Sequence, residues 1–148
     1  MTKPIVLKGR TITEGLGEGK ALVTNQFFGF THGVDPATGR IADKRHEWLN
    51  QNLNGKILVF PYGKSSSSGG LFILEMVRCG NGPAAVINLE TEPVIGAGFI
   101  MAKILYNREI PVLDHLDKNP IDTIKNGDYV VVDGYKGEVR IMPRDTNP

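Results

Sequence analysis

The sequence predicts an α/β domain with a parallel βαβαβ core followed by a β-hairpin. Three features carry that prediction. Short continuous apolar runs at residues 56–60 (KILVF), 84–88 and 110–113 have the length and composition of strands buried on both faces. Longer apolar stretches at 71–79 and 94–105 separate them and are long enough for helices. Alternation of this kind builds a parallel sheet through right-handed crossovers, and β-rich segments flank it on both sides.

Taken in order, Gly9, Gly15, Gly17 and Gly19 punctuate the first stretch and favour short strands, one of them at residues 20–24. Phe27-Phe28-Gly29-Phe30 leads into Gly33-Val34-Asp35-Pro36-Ala37-Thr38-Gly39, whose Asp-Pro and closing Gly are turn chemistry. Residues 40–54 read as a polar loop. The strand at 56–60 stops at Pro61, and Tyr62-Gly63-Lys64-Ser65-Ser66-Ser67-Ser68-Gly69-Gly70 joins it to the first helix. Residues 71–79 (LFILEMVRC) are too densely apolar for a clean amphipathic period, so this helix is expected to be mostly buried. Ser68 is its N-cap and Gly80 or Gly82 its stop. Pro83 precedes the strand at 84–88, residues 90–93 turn, and the helix at 94–105 is weakened by Gly96 and Gly98. After the strand at 110–113 come one helical turn at 120–125, a turn at Asn126-Gly127-Asp128, and a hairpin of 129–133 with 137–142 around Gly134-Tyr135-Lys136. Residues 143–148 are an expected frayed tail. No repeat or linker divides the chain, which reads as one domain, 1–148.

At 148 residues the chain can bury a sizeable core without staples. A 41% hydrophobic and 22% charged composition with net charge +1 is that of an ordinary globular protein and points to neither a nucleic-acid nor a membrane partner. No apolar run reaches the ~18 residues of a spanning helix, and residues 1–4 lack the apolar segment of a signal peptide. A single cysteine, Cys79, cannot make an internal disulfide, which favours the cytoplasm, nor can it hold an iron–sulfur cluster. Cys79 is expected to be buried and unreactive. His32, His46 and His115 are too scattered for a metal site, so no metal ligand is expected on this chain.

The loop from Tyr62 to Gly70 has two readings from composition alone, a flexible polar connection with an ordinary helix cap or a site that carries chemistry. It leaves a buried strand and enters a helix, the position where open α/β sheets bind ligands. Helix N–H groups, four serine hydroxyls and the Lys64 ammonium form a cradle for a carboxylate or phosphate. A serine there acts as a base where its alkoxide is stabilised. The loop is not a nucleotide cradle: the first glycine of such a motif falls on Leu58, within the strand. A dinucleotide fingerprint is also missing, since Gly96 and Gly98 are followed by Met101. Asn88 to Pro93, with Glu90 and Glu92, ends a second strand and reads as a solvated turn, and His32 as a structural or exposed histidine.

The ordered set Gly19-Lys20-Ala21-Leu22-Val23-Thr24, Gly33 to Gly39, Gly55 to Lys64, Gly82 to Asn88 and Ile110-Pro111-Val112 resembles the small subunit of aconitase X proteins over roughly residues 9–142. The resemblance implies the swivelling β/β/α domain of aconitases on a separate chain. It implies a hydro-lyase subunit, inactive alone, that dehydrates a small hydroxy acid. Mevalonate 5-phosphate is the first candidate and cis-3-hydroxy-L-proline the alternative. It also implies a large-subunit partner that carries the iron or iron–sulfur centre, with no cofactor on this chain. In the family's Gly-Lys-Gly-Ser pattern Gly63 and Lys64 match, and Ser66 falls on the general-base serine. Ser65 replaces the usual glycine, so Ser65 and Ser67 are rivals for that role. Lys64, Ser65 and Ser67 are then the residues that hold the substrate's anionic groups. Phe30-Thr31-His32 also departs from the family, which has small residues there. A non-catalytic anion-binding module on the same fold is the reading from another class.

Overall fold

The structure is a computed structural model that describes residues 3–64 and 66–144; Ser65 and the end of the expected tail lie outside the described residues. Its sheet contains β1 (Ile5–Lys8), β2 (Arg10–Thr13), β3 (Leu16–Val23), β4 (Ile57–Phe60), β5 (Ala85–Asn88), β6 (Val112–Asp114), β7 (Tyr129–Asp133) and β8 (Glu138–Ile141). The helices are α1 (Gly69–Arg78), α2 (Pro93–Tyr106) and the short α3 (Pro120–Thr123). The strand order is β1-β8-β7-β3-β4-β5-β6-β2. β3, β4, β5 and β6 run parallel, with α1 and α2 as the crossovers between β4, β5 and β6. The expected βαβαβ core and the β7–β8 hairpin are both present.

The two outermost strands of that order are consecutive in the chain and separated only by Gly9. One segment therefore supplies both edges, and the sheet curls into a nearly closed barrel, which leaves little free edge. Gly9 sits at the corner: its N–H donates to the Gly137 carbonyl at 2.9 Å, and a Cβ there would run into the Asp114 carbonyl and Leu116. Arg10, the next residue, grips Asp114 at the end of β6 through two hydrogen bonds of 2.8 and 2.9 Å. The Thr91 N–H gives Asp114 a third at 2.8 Å.

Strand residues alternate between two cores, as a period of 2 requires. Ile57 and Val59 of β4 point into the barrel with Leu7, Ile87, Leu113, Val130, Val132 and Val139. Leu58 and Phe60 point outward, under α1, α2 and the segment 24–54. This explains why all four β4 residues are buried and why the run reads as continuously apolar.

Three expectations need correction. The first helix is half-buried, since it covers the outer face of the sheet and turns its other side to solvent. α1 buries Gly69, Ile73, Met76 and Val77, whereas Leu71 is 68% exposed. Cys79 is exposed, because it falls at the C-cap of α1, off the stripe that faces the core. The segment 24–54 forms only isolated bridges, as a loop would, yet it inserts Phe28, Phe30, Ile41, Trp48 and Leu53 into the outer core. Gly80 is the stop of α1, at φ 83.

Burial pushes the Asp114 carboxyl up, but its hydrogen bonds to Arg10 and Thr91 outweigh that and hold it below its ordinary value. A carboxyl depressed in the folded state contributes its full stability above the unfolded pKa of about 4 and loses it as pH falls through the folded value. Asp114→Ala should therefore cost about 2 kcal/mol at pH 7, through the stranded Thr91 N–H and the lost Arg10 pair. In urea titrations the gap to the parent should narrow below about pH 4.

Candidate active site

The C-terminal ends of β4 and β5 open onto one loop cluster. Past Phe60 the chain is held by the segment 24–54. The Phe28 N–H donates to the Tyr62 carbonyl at 3.3 Å, and the Phe28 carbonyl accepts from the Lys64 N–H at 3.2 Å. The two backbones lie so close that a Cβ at Gly29 would strike the Lys64 carbonyl. From there the segment runs alongside α1. Thr31 and His32 reach its start, where the His32 ring meets Phe72 at 5.0 Å, and Pro36 reaches its end, where its carbonyl accepts from Asn81 Nδ2 at 2.8 Å. Asp35 to Gly39 forms the expected turn, closed by Gly39 N–H to the Asp35 carbonyl at 2.8 Å. That turn lies at the opposite end of α1 from the serines.

Ser66 and Ser67 are exposed at the head of α1, and Ser68 is half-buried. Ser68 occupies the N-cap position but makes no side-chain cap. Its Oγ lies 2.8 Å from Ser66 Oγ instead, and both approach Thr31 Oγ1, at 3.3 Å from Ser66 and 3.4 Å from Ser68. Lys64 is paired at 2.9 Å with Asp43, a residue of the 24–54 segment. The Lys64 hydrogen bond holds the Asp43 carboxyl below its ordinary value against the opposing effect of burial. Behind this pair lies His46, 4% exposed, whose Nδ1 accepts from the Trp48 N–H at 3.0 Å. Burial lowers its pKa and favours the neutral ring; because Nδ1 accepts, the proton sits on Nε2, which has no partner among the described residues.

On the neighbouring strand, Asn88 is fully buried and donates to the Phe60 carbonyl at 3.0 Å. Glu92 caps α2 by accepting from the Val94 N–H at 3.0 Å, so it is a structural cap as well as a turn residue. Glu90 lies 3.7 Å from His115 on an exposed face, consistent with a solvated turn. Cys79, bonded to Glu75 and Arg78 at the far end of α1, is the one thiol, and this donor set does not fit an iron–sulfur cluster, which takes several thiolates. No helix among the described residues is long and apolar enough to cross a membrane.

Sequence reasoning located the loop, Lys64, Ser66 and Ser67 at one end of the sheet. It missed Asp43 as the partner of Lys64 and Ser68 as a partner of Ser66. Thr31 stood out only as part of an unusual triplet; its proximity to residues 35 positions away has no signal in local spacing.

The fold, a nearly closed eight-stranded sheet with α1 and α2 on its outer face, is that of the aconitase swivel domain. A profile of the aconitase X swivel domain matches residues 6–141. The chain belongs to the aconitase X swivel-domain family and is a dehydratase small subunit of that type. It is 40% identical over 139 residues to the phosphomevalonate dehydratase small subunit of Methanosarcina acetivorans, covering 94% of this chain and 92% of that one. The Methanocaldococcus jannaschii protein of the same name is 40% identical over 136 residues, with 92% and 97% covered. The crystal structure of Thermococcus kodakaraensis aconitase X in its holo-form superposes with a TM-score of 0.84 at 36% identity, over 94% of this chain and 99% of that one. These relatives match nearly end to end.

Gly29→Ala should push the loop off Phe28 and cost about 1–3 kcal/mol in urea unfolding, the usual range for forcing atoms into a packed contact.

Proposed function

We propose that this chain is the small subunit of a two-subunit dehydratase acting on mevalonate 5-phosphate, with Ser66 as the base that takes the proton α to the carboxylate. The substrate is carried over from relatives named phosphomevalonate dehydratase small subunit. The role of Ser66 is supported by one observation above the others: its Oγ has two hydroxyl neighbours within hydrogen-bond distance at the start of a helix. Proton removal from the α carbon leaves an electron pair that forms the carbon–carbon double bond. The β-hydroxyl departs with its bonding pair and, with one proton, leaves as water.

A free serine is too weak a base for this step, and α1 supplies part of the correction. Its N-terminal N–H groups and dipole favour negative charge. Lys64, Ser65 and Ser67 hold the substrate's anionic groups in this reading. Lys64 then exchanges Asp43 for the substrate, and the ion pair keeps its side chain placed until it does so. The iron or iron–sulfur centre is assigned to the large subunit, because the single exposed thiol here does not fit one. That exposed thiol also suits a reducing compartment, the cytoplasm.

The test is anaerobic co-purification with the large subunit and assay against mevalonate 5-phosphate. The complex should turn over, and this chain alone should not. Ser66→Ala should assemble normally and lose about 10²–10⁴-fold in kcat, the range for a general base. Undiminished turnover by Ser66→Ala would remove the base assignment. Activity on cis-3-hydroxy-L-proline alone would replace the substrate, and failure to form any complex would favour the anion-binding module.

A further inference from the structure

Three hydroxyls from two separate segments meet at the start of α1. Ser66 Oγ lies 2.8 Å from Ser68 Oγ and 3.3 Å from Thr31 Oγ1. Hydroxyls are rotors that donate or accept as their surroundings require. While Ser66 keeps its proton, it donates to Thr31. Once that proton is gone, Ser66 can only accept, and the Thr31 and Ser68 hydroxyls can both turn to donate to it. Bonds to an ionised oxygen are the stronger kind.

Two features of the local structure fit this use. Ser68 stands at the N-cap, where its oxygen would ordinarily accept from the helix, yet it makes no such bond and faces Ser66. Thr31 is brought from another segment by a turn in which His32 adopts φ 56, a conformation uncommon for residues other than glycine. That turn is pinned by the His32 ring against Phe72 and by the Gly33 N–H on the Phe30 carbonyl at 3.1 Å. The titratable groups on the surrounding elements are Lys64 with its partner Asp43, His32, and Glu92 against Gly63; the first turn of α1 carries no acidic residue. Lys64 is paired with Asp43, and among the described residues the hydroxyls of Thr31 and Ser68 are the side-chain partners of Ser66.

We propose that Thr31 and Ser68 are positioning residues, a two-hydroxyl cradle that stabilises the deprotonated form of the side chain at position 66. The inference rests on Ser66 being the base and adds what makes it one.

A thiol at position 66 reads the cradle directly, without partner, metal or substrate. In a Cys79→Ser background, the Ser66→Cys thiol pKa is measured on the isolated chain from the pH dependence of iodoacetamide alkylation. It should lie below the ordinary value of about 8.5. Thr31→Val should raise it by about one unit, Thr31→Ser should restore it, and Ser68→Ala should raise it independently. A general loss of structure is recognised by the thermal midpoint, and restoration by Thr31→Ser distinguishes the hydroxyl from the packing. In the assembled enzyme, Thr31→Val should lower kcat about 10–100-fold with KM little changed, and should move the rising limb of the kcat–pH profile to higher pH. A thiol pKa indifferent to both Thr31→Val and Ser68→Ala overturns the cradle. If that indifference accompanies an inactive Ser66→Ala complex, only the cradle falls; an active Ser66→Ala complex removes the base assignment itself.

Discussion

The site depends on how one aromatic residue is buried. Phe28 has no exposed surface, and its ring lies 5.2 Å from Phe30, 5.3 Å from His46, 5.2 Å from Trp48 and 5.6 Å from Phe60. Such pairs contribute about 0.5–1.5 kcal/mol each beyond their area. They anchor the segment 24–54 to the outward face of β4. The backbone of the same residue bonds both Tyr62 and Lys64, so side chain and main chain of Phe28 tie a loop without regular structure to the mouth of the sheet. Thr31 and Asp43, the two partners of the serine loop, both belong to the segment it anchors. The segment is a second wall of the site, packed into the outer core although it contains no strand.

The two ends of the parallel strands differ in how well their polar groups are satisfied. At the N-terminal end, Asn54 bonds the Thr38 carbonyl, Asn81 and the Gly82 N–H, and Asn81 bonds the Pro36 carbonyl. At the C-terminal end, His46 Nε2, Trp48 Nε1, Asn88 Oδ1 and Glu92 Oε1 are buried with no partner among the described residues.

The central strands were legible in the sequence because β4 and β5 are written as short apolar runs, whereas β3, whose first residues mix Gly, Glu and Lys, was expected only over residues 20–24. Ile57–Phe60 and Ala85–Asn88 are each buried throughout, as strands covered on both faces are. The hairpin was legible from its turn. Barrel closure was not: Gly9 reads as one more turn glycine, and nothing local tells that its two flanking strands pair at opposite edges of the sheet. Burial of α1 was overstated, since apolar density does not reveal that Leu71, 68% exposed, faces outward. In the site, the serine loop was found by its composition. The roles of Asp43 and Thr31 depend on long-range packing that Phe28 controls, and Ser68 was read correctly as the N-cap position but not for the direction of its hydroxyl.

The central claim is that a side chain of this small subunit removes the α proton. Exchange of that proton isolates the step from departure of the hydroxyl. The assembled complex would be incubated with mevalonate 5-phosphate in ²H₂O, and deuterium at the α carbon of recovered substrate followed by NMR. The account predicts incorporation by the parent complex and none by a correctly assembled Ser66→Ala complex. Incorporation by Ser66→Ala at the parent rate would place the base on the other subunit and contradict it.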